Sequence, residues 1–255
     1  MKIHHIRNAT FVIEANEKFI LVDPMLGSRG FMPPFAFLRF KAKRNPIVDL
    51  PHNYKSILDK VTHCLITHLH PDHIDSKGKQ FLVKNNIPVI CSIKDVKALK
   101  KDGLHIYTSL KYGQNIPFLN GNIIGVRAKH GYGFVSSLMG NVIGFYLKLP
   151  NEPSVYISAD TIYTDAVADT ISTFKPDLTV LAAGMAQFDF GKQLIMNFED
   201  ILKFVDRSPN KVYANHLEAL NHCPTTRIKL KNLLIKNNLI EKVYIPEDGD
   251  SFHLV

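Results

Sequence analysis

Three histidines and an aspartate lie within six residues of this 255-residue chain, in the run Thr67-His68-Leu69-His70-Pro71-Asp72-His73. The run directly follows residues 63–67, an apolar segment typical of a β-strand. Imidazole nitrogen and carboxylate oxygen are normal ligands of zinc and similar metals. Because three such close histidines are too crowded for one ion on a regular element, we expect two ions. His68 and His70 would face one metal, and Asp72 and His73 the other.

Three more candidate ligands each follow a predicted strand. His130 follows residues 123–128, Asp160 follows residues 155–158, and His216 follows residues 212–215. The carboxyl ends of strands tend to meet at one edge of a sheet, where α/β enzymes place their sites. His130 and His216 would supply one ligand to each metal, and the two oxygens of Asp160 could bridge them.

The chemistry of such a pair is the activation of water. Two metals a few ångströms apart lower the pKa of a bound water from about 15.7 towards 7, which makes hydroxide available at neutral pH. Each of the three isolated residues also has a structural interpretation. His130 and His216 could be surface or core groups, and Asp160 could only cap a helix. The dense histidine run favours the metal site.

The elements that must position these residues begin with strands and continue as alternating helices and strands. Predicted strands cover residues 9–15, 18–23, 63–67, 88–93, 123–128, 141–149, 154–158, 178–183, 211–215 and 242–245. Predicted helices cover residues 76–86, 94–101, 164–174, 198–205 and 225–237. This order predicts packed sheets with helices outside, in a single domain over residues 1–255.

Composition places the chain among ordinary globular proteins, with 45% hydrophobic and 21% charged residues. Its three cysteines are scattered and form no disulfide framework. The N-terminus has no signal-peptide pattern, and no apolar run is long enough to span a bilayer. We therefore expect a cytoplasmic protein. The net charge of +8 favours anionic partners, which can be phosphorylated substrates, lipid headgroups or nucleic acid, without choosing among them. The partner that we expect is a small-molecule or lipid-like anionic substrate.

The histidine run resembles the signature of the metallo-β-lactamase superfamily. Asp23-Pro24 resembles that family's early aspartate motif, and His130, Asp160 and His216 occur in the family's order. Asn8-Ala9-Thr10 and residues 215–223 resemble one branch, which includes ascorbate-6-phosphate lactonase-like and N-acyl-phosphatidylethanolamine phospholipase D-like proteins. The resemblance covers nearly the whole chain. It is specific for fold and metal site and says little about substrate.

The resemblance implies an α/β fold, a four-layer αββα sandwich with two metals at one edge. The implied ligands are His68, His70 and His130 at metal one, Asp72, His73 and His216 at metal two, and Asp160 between them. Asp23 would orient the ligand histidines, and Asp72 would also act as a catalytic general base. We expect two divalent ions, with zinc ahead of manganese or iron.

Four further features bear on the substrate. His222 either faces the substrate as a catalytic residue or caps the next helix. Asn8 and Tyr163 are candidate substrate contacts. The loop at residues 24–53 is rich in phenylalanine and basic residues. It could form a lid, touch a membrane surface, or fold back on a small core of its own.

These features predict a metal-dependent hydrolase acting on an ester, lactone or phosphodiester, with a phosphorylated or anionic substrate favoured by charge. The alternative is a nucleic-acid-binding protein or nuclease that retains the metal site, although no nucleic acid is expected as partner. A steep loss of nucleic-acid binding with salt would support that alternative. A third hypothesis is a structural metal site without catalysis. The sequence does not indicate the oligomeric state.

Overall fold

Two seven-stranded mixed sheets make up the centre of the computed structural model, which describes residues 1–254. The first sheet contains β1 (Lys2–Arg7), β2 (Thr10–Ala15), β3 (Lys18–Val22), β4 (His63–Leu65), β5 (Val89–Ser92), β6 (Ile106–Leu110) and β14 (Ser251–His253). The second contains β7 (Asn115–Phe118), β8 (Gly121–Arg127), β9 (Ile143–Lys148), β10 (Val155–Ile157), β11 (Leu178–Ala182), β12 (Lys211–Asn215) and β13 (Val243–Tyr244).

Three α-helices pack on the outer face of each sheet. They are α1 (Tyr54–Leu58), α2 (Ser76–Lys84) and α3 (Val96–Lys101) on the first sheet, and α4 (Asp165–Phe174), α5 (Phe198–Arg207) and α6 (Arg227–Lys236) on the second. Short 3₁₀ turns occupy Gly133–Ser137 and Ile240–Lys242. No helix within residues 1–254 is long and apolar enough to cross a membrane.

Three apolar clusters hold these layers together. The central cluster joins the inner faces of the two sheets, with Phe11 of β2, Phe145 of β9 and Tyr213 of β12 all fully buried. Separate clusters bind each sheet to its own helices, for example through Leu82 of α2 and Phe204 of α5. Alternate residues of a strand point to opposite faces, so a strand covered on both sides is apolar throughout. The predicted αββα sandwich is therefore confirmed.

Strand direction explains why one edge of the sandwich collects the functional residues. β3 to β6 are parallel in the first sheet, and β10 to β13 are parallel in the second. β8 and β10 are both antiparallel to β9, so they run the same way. The carboxyl ends of β3, β4, β8, β10 and β12 carry Asp23, the histidine run, His130, Asp160 and His216.

The sequence places His4 and His5 in a strand without giving the bounds of β1, and it does not predict β6, β7, β14 or the short helix α1. β14 has only three residues, and its pairing with β1 joins the two ends of the chain, which local patterning cannot reveal. β6 and β7 are amphipathic and half exposed. Because most of their residues are partly or fully exposed, neither strand forms the continuous apolar run by which a buried strand is recognised in a sequence.

The loop at residues 24–53 contains no helix or strand longer than one isolated bridge. Arg7, fully buried, donates hydrogen bonds to the carbonyls of Val48 (3.1 Å), Met25 (3.0 Å) and Gly27 (2.9 Å). Burial lowers the pKa of Arg7 to about 10, so the side chain stays cationic at neutral pH. It ties both ends of the loop to the first sheet.

The same loop does not form a core of its own. Met32, Phe35 and Val48 pack against residues of the second sheet's loops, including Leu194 and Leu220. This contact brings the loop over the sheet edge where the candidate ligands lie. Of the three sequence interpretations, the self-contained core is wrong.

Candidate active site

Seven side chains from both sheets meet at the edge in two adjoining clusters. The first cluster contains His68, His70 and His130, and the second contains Asp72, His73, Asp160 and His216. Within each cluster the ligand atoms all lie within 4.8 Å of one another. The structure therefore brings together all seven residues that the sequence singled out, in the same two groups.

Asp160 lies between the clusters. Its Oδ2 is 3.4 Å from Nε2 of His130 in the first cluster and 3.6 Å from Nε2 of His216 in the second. Its Oδ1 is 3.3 Å from Nε2 of His73. A carboxylate in this position can contact an ion in either cluster. The helix-cap interpretation of Asp160 is wrong, because Thr164 caps α4.

Unpaired buried atoms point into the space between these residues. Nε2 of His68, His73 and His216 and Oδ1 of Asp160 are buried and make no hydrogen bond within residues 1–254. Leaving buried polar atoms without partners is costly, and native proteins rarely do so without a functional reason. All four atoms belong to residue types that bind metals. The residues present therefore fit a divalent metal.

The other ring nitrogen of four ligand histidines is held from behind. In the histidine run, Nδ1 of His68 contacts Thr67 Oγ1 (2.9 Å) and Nδ1 of His73 contacts Asp23 Oδ2 (2.8 Å). In the second sheet, Nδ1 of His130 contacts the Leu194 carbonyl (2.7 Å). Nδ1 of His216 contacts Cys223 Sγ (3.5 Å). Such contacts select the tautomer with its lone pair on Nε2 and fix the ring orientation. The rings therefore present Nε2 to the clusters.

Asp23 organises the histidine run from the end of β3. Its Oδ1 accepts from the Thr67 amide (2.8 Å), and its Oδ2 accepts from the Thr67 hydroxyl (2.7 Å) as well as from His73. One carboxylate thus orients His73 directly and His68 through Thr67. Sequence reasoning assigned a role to Asp23 but none to Thr67.

The two clusters differ in electrostatics. Burial lowers the pKa of His68, and it lowers the pKa of His130 to about 4. Burial acts in the same direction on His73, but Asp160 and Asp23 outweigh it and raise the pKa of His73 to about 10. The pKa of His216 is also raised above its ordinary value by Asp160, against burial. Burial thus favours the neutral form of the histidines in the first cluster, whereas the neighbouring carboxylates favour the protonated form of those in the second.

Sharp turns at the strand ends aim the ligands. Asn8, Asp23, Ala159 and His216 have left-handed φ angles of 57°, 47°, 58° and 59°. Non-glycine residues in this region cost roughly 1–3 kcal/mol each and concentrate at functional sites. Asn8 and Asp23 are residue types that tolerate this conformation, whereas no turn signal marks Ala159 or His216 in the sequence.

Asn8 is a support for the second cluster. Its carbonyl accepts from the His216 amide (3.0 Å), and its Nδ2 donates to the Asp72 carbonyl (2.9 Å). Asn8 therefore fixes the backbone at His216 and Asp72. It is fully buried and does not line the pocket, so the structure does not place it against a substrate there. Tyr163 also lies off the site, with its amide bonded to Asp200 and its ring under Lys203.

A pocket of ≈ 220 Å³ opens directly above the clusters. Its lining residues are Phe35, His70, Pro71, Asp72, His130, Met139, Asp160, Phe188, Leu194 and His222. The ring of His222 lies 5.1 Å from that of Phe35 and 5.9 Å from that of Phe188, centre to centre. Thr226 caps α6, so the helix-capping alternative for His222 is wrong.

The apolar pocket walls escaped sequence reasoning. Phe35 and Phe188 come from irregular loops far apart in the chain, where no periodicity links them. The 24–53 loop was expected to approach the substrate. In its partner, the loop that carries Phe188 and Leu194, the sequence marks only Asp189 as a candidate for a position in the cleft, and no pattern marks the apolar residues.

Comparison with known proteins agrees with this geometry. Residues 18–215 match the model of the Beta-lactamase superfamily domain. The chain is 36% identical over 256 residues to the UPF0173 protein YddR of Bacillus subtilis, covering 99% of each chain. It is 23% identical to a UPF0173 metal-dependent hydrolase of Methylacidiphilum infernorum, over 94% of this chain and 100% of that one.

Among solved structures, the isothiocyanate hydrolase from Delia radicum gut bacteria superposes with a TM-score of 0.90 at 30% sequence identity. The match covers 100% of this chain and 99% of that chain. Family match, sequence relatives and fold thus agree with one another and with a buried His/Asp cluster that can bind metal. The chain belongs to the metallo-β-lactamase superfamily and, within it, to the UPF0173 metal-dependent hydrolases.

Proposed function

We propose that the chain uses two divalent metals to hydrolyse a small, uncharged substrate with an electrophilic carbon beside a compact apolar group. The pocket lining carries this proposal. Its walls are Phe35, Met139, Phe188 and Leu194, and no lysine or arginine lines it. Its volume of ≈ 220 Å³ is below the roughly 300–1,000 Å³ of sites for drug-sized ligands. Apart from the metals, the lining offers no cationic side chain to neutralise the remaining charge of a phosphate.

Isothiocyanates fit this description, since they are neutral and carry an electrophilic carbon between nitrogen and sulfur. The similarity to an isothiocyanate hydrolase over the full chain supports testing them first. Small esters and lactones also fit. The resemblance of residues 215–223 to the lactonase-like branch keeps lactones on the panel.

The metals would be held by the two clusters, with Asp160 contacting both. Once bound, they supply Lewis acidity and a hydroxide at neutral pH; zinc is our first choice for the ion, with manganese or iron as alternatives. Asp72 lines the pocket floor, and its Oδ2 faces Nε2 of His216 at 3.3 Å. Burial acts to raise its pKa, but His216 and His73 hold it below the usual range. Asp72 therefore stays ionised, as a metal ligand must be. Its proposed role as general base rests on its place at the pocket floor.

His222 is the second side chain, after Asp72, to which we assign a role in the reaction. Its Nδ1 lies 4.0 Å from Cys223 Sγ, so Nε2 is the atom that can hydrogen-bond to a substrate in the pocket. Phe35 and Phe188 hold the ring in place and keep water away from that face. A donor at this position would stabilise charge that develops on the departing or attacked heteroatom.

Replacing His222 with phenylalanine keeps an aromatic ring in the stack and removes both nitrogens. We expect kcat to fall by about a hundredfold, in the range typical of a lost proton donor. Metal content should stay unchanged, because His222 belongs to neither cluster. His63→Phe is the matched control, since His63 packs on Phe118 at the other end of β4. A parallel loss of metal and activity in His222→Phe would contradict the assigned role.

Acid should empty the second cluster before the first. With the pKa of His73 raised to about 10, a proton competes with metal at every pH below that value. His68 and His130, with lowered pKa values, face no such competition near neutrality. Each protonated ligand weakens apparent affinity roughly tenfold per pH unit. Metal counting after dialysis at falling pH should show two equivalents, then one. Simultaneous loss of both would argue against two unequal sites.

A substrate panel tests the proposal itself. The metal-loaded chain would be assayed with an aryl isothiocyanate, a nitrophenyl ester, a small lactone, a nitrophenyl phosphodiester and a phosphomonoester. We expect kcat/KM for at least one neutral substrate to exceed both phosphate substrates by about a hundredfold or more. A phosphorylated or lipid-like anionic substrate as the best one would overturn the proposal. Cleavage of single-stranded nucleic acid would instead favour the nuclease alternative.

A further inference from the structure

Three loops that frame the pocket carry the most exposed large apolar side chains within residues 1–254. These are Leu38 (78% exposed), Phe190 (77%), Phe134 (74%) and Leu138 (74%). Phe37 beside them is 59% exposed. Scattered exposed apolar residues are ordinary, but contiguous ones mark interaction sites. We call these five residues the rim.

Hydrogen bonds and packing make the rim contiguous. The Asp189 carboxylate accepts from the amides of Phe37 (3.0 Å), Leu38 (2.8 Å) and Arg39 (2.9 Å), which joins the loop of residues 28–48 to that of residues 184–196. The Tyr132 amide donates to the Gln193 carbonyl (3.1 Å) and joins the third loop, residues 131–142. Phe35, Met139 and Phe188, each one or two residues from a rim residue, line the pocket.

Positive charge surrounds the rim. The exposed cations of the same loops are Arg29, Arg39, Lys41, Lys43, Arg44 and Lys192. The three loops contain a single acidic residue, Asp189, and its carboxylate is already occupied by three amides. Exposed phenylalanine and leucine beside unneutralised lysine and arginine is the composition of surfaces that bind anionic bilayers.

We propose that the rim docks onto an anionic lipid surface, with the apolar side chains inserted among the headgroups and the cations paired with phosphates. This goes beyond hydrolysis and does not depend on metal. A second copy of the chain fits less well, because a two-fold contact through this face would set six cations against six. Because the loops frame the pocket, docking would bring its mouth against the lipid.

Vesicle sedimentation with the full chain tests the proposal. Vesicles of phosphatidylcholine alone are compared with vesicles that also contain phosphatidylglycerol, at low and high salt. We expect binding only to the anionic vesicles, weakened by salt. Lys41→Gln/Lys43→Gln should lower the partition coefficient roughly 25-fold, about fivefold per cation. Leu38→Ser/Phe190→Ser should lower it at least about tenfold.

Matched controls carry equal changes elsewhere. Lys97→Gln/Lys100→Gln removes two exposed cations from α3, and Ile228→Ser/Ile235→Ser removes two apolar side chains of α6 that are 70% and 57% exposed. Both should bind as the unmodified chain does. Circular dichroism spectra should be the same for all variants. Equal binding of rim and control variants, or no preference for anionic vesicles, would overturn the proposal. The proposal would also be overturned if the chain did not bind vesicles but formed dimers or bound single-stranded nucleic acid, and if the rim variants abolished that dimerisation or binding.

Discussion

Asp160→Asn will lower kcat/KM by at least about a thousandfold, ~4 kcal/mol of transition-state stabilisation, while the chain remains folded. Asp160 lies between the two clusters, with a carboxylate oxygen 3.3 Å from Nε2 of His73, 3.4 Å from that of His130 and 3.6 Å from that of His216. Asparagine keeps its shape but has one carbonyl oxygen in place of two anionic ones. The asparagine side chain therefore cannot offer an anionic oxygen to an ion in each cluster.

The measurement is steady-state hydrolysis of the best neutral substrate together with metal counting. Metal content should fall below that of the unmodified chain. Asp177→Asn is the control, because Asp177 holds Ser154 at the opposite ends of β10 and β11. Near-normal turnover by Asp160→Asn with full metal content would refute a bridging role for this carboxylate.

Gly184→Ala will destabilise the chain by ~3 kcal/mol or more and lower its Tm by roughly 10 °C. A Cβ at Gly184 would lie 2.2 Å from the carbonyl oxygen of His216 and 3.2 Å from Cys223 Sγ. Real Cβ contacts essentially never fall below 3.0 Å, and the obstructing atom is backbone. The segment that carries His216 must therefore move, and the second cluster should lose metal as well.

Thermal unfolding with and without a chelator separates the two effects. Gly113→Ala serves as control, since its Cβ would meet nothing within 4 Å and only its φ of 74° is strained. That change should cost about 1–2 kcal/mol and leave metal content intact. If Gly184→Ala melts like the parent protein, the close approach of β11 to the His216 turn is not essential.

The ligands could be predicted from sequence because each follows an apolar strand directly, and parallel strands deliver their ends to one edge. The αββα fold could be predicted for the same reason, from the order of apolar segments. The supporting role of Asn8 could not be predicted from sequence, because Asn8 hydrogen-bonds to backbone atoms of His216 and Asp72. The pocket walls could not be predicted either, because they depend on how two irregular loops pack against each other. Phe35 became a pocket residue only through its contact with the second sheet's loops.

Net charge gives the total excess of cations but not their location. The excess of +8 favours an anionic substrate, and no lysine or arginine is among the residues that line the pocket. Six exposed cations lie on the three loops that frame it. A count over the whole chain cannot separate these locations, because it holds no information on which side chains face the site.

The ligands come from two different sheets: the histidine run from the first, and His130, Asp160 and His216 from the second. Complete coordination therefore exists only when the sheets are docked, and the unfolded chain offers no equivalent. By mass action, an ion present at a hundred times its Kd adds about 2.7 kcal/mol to folding stability. Metal supply would then govern not only how fast the enzyme works but how long each molecule escapes unfolding and degradation.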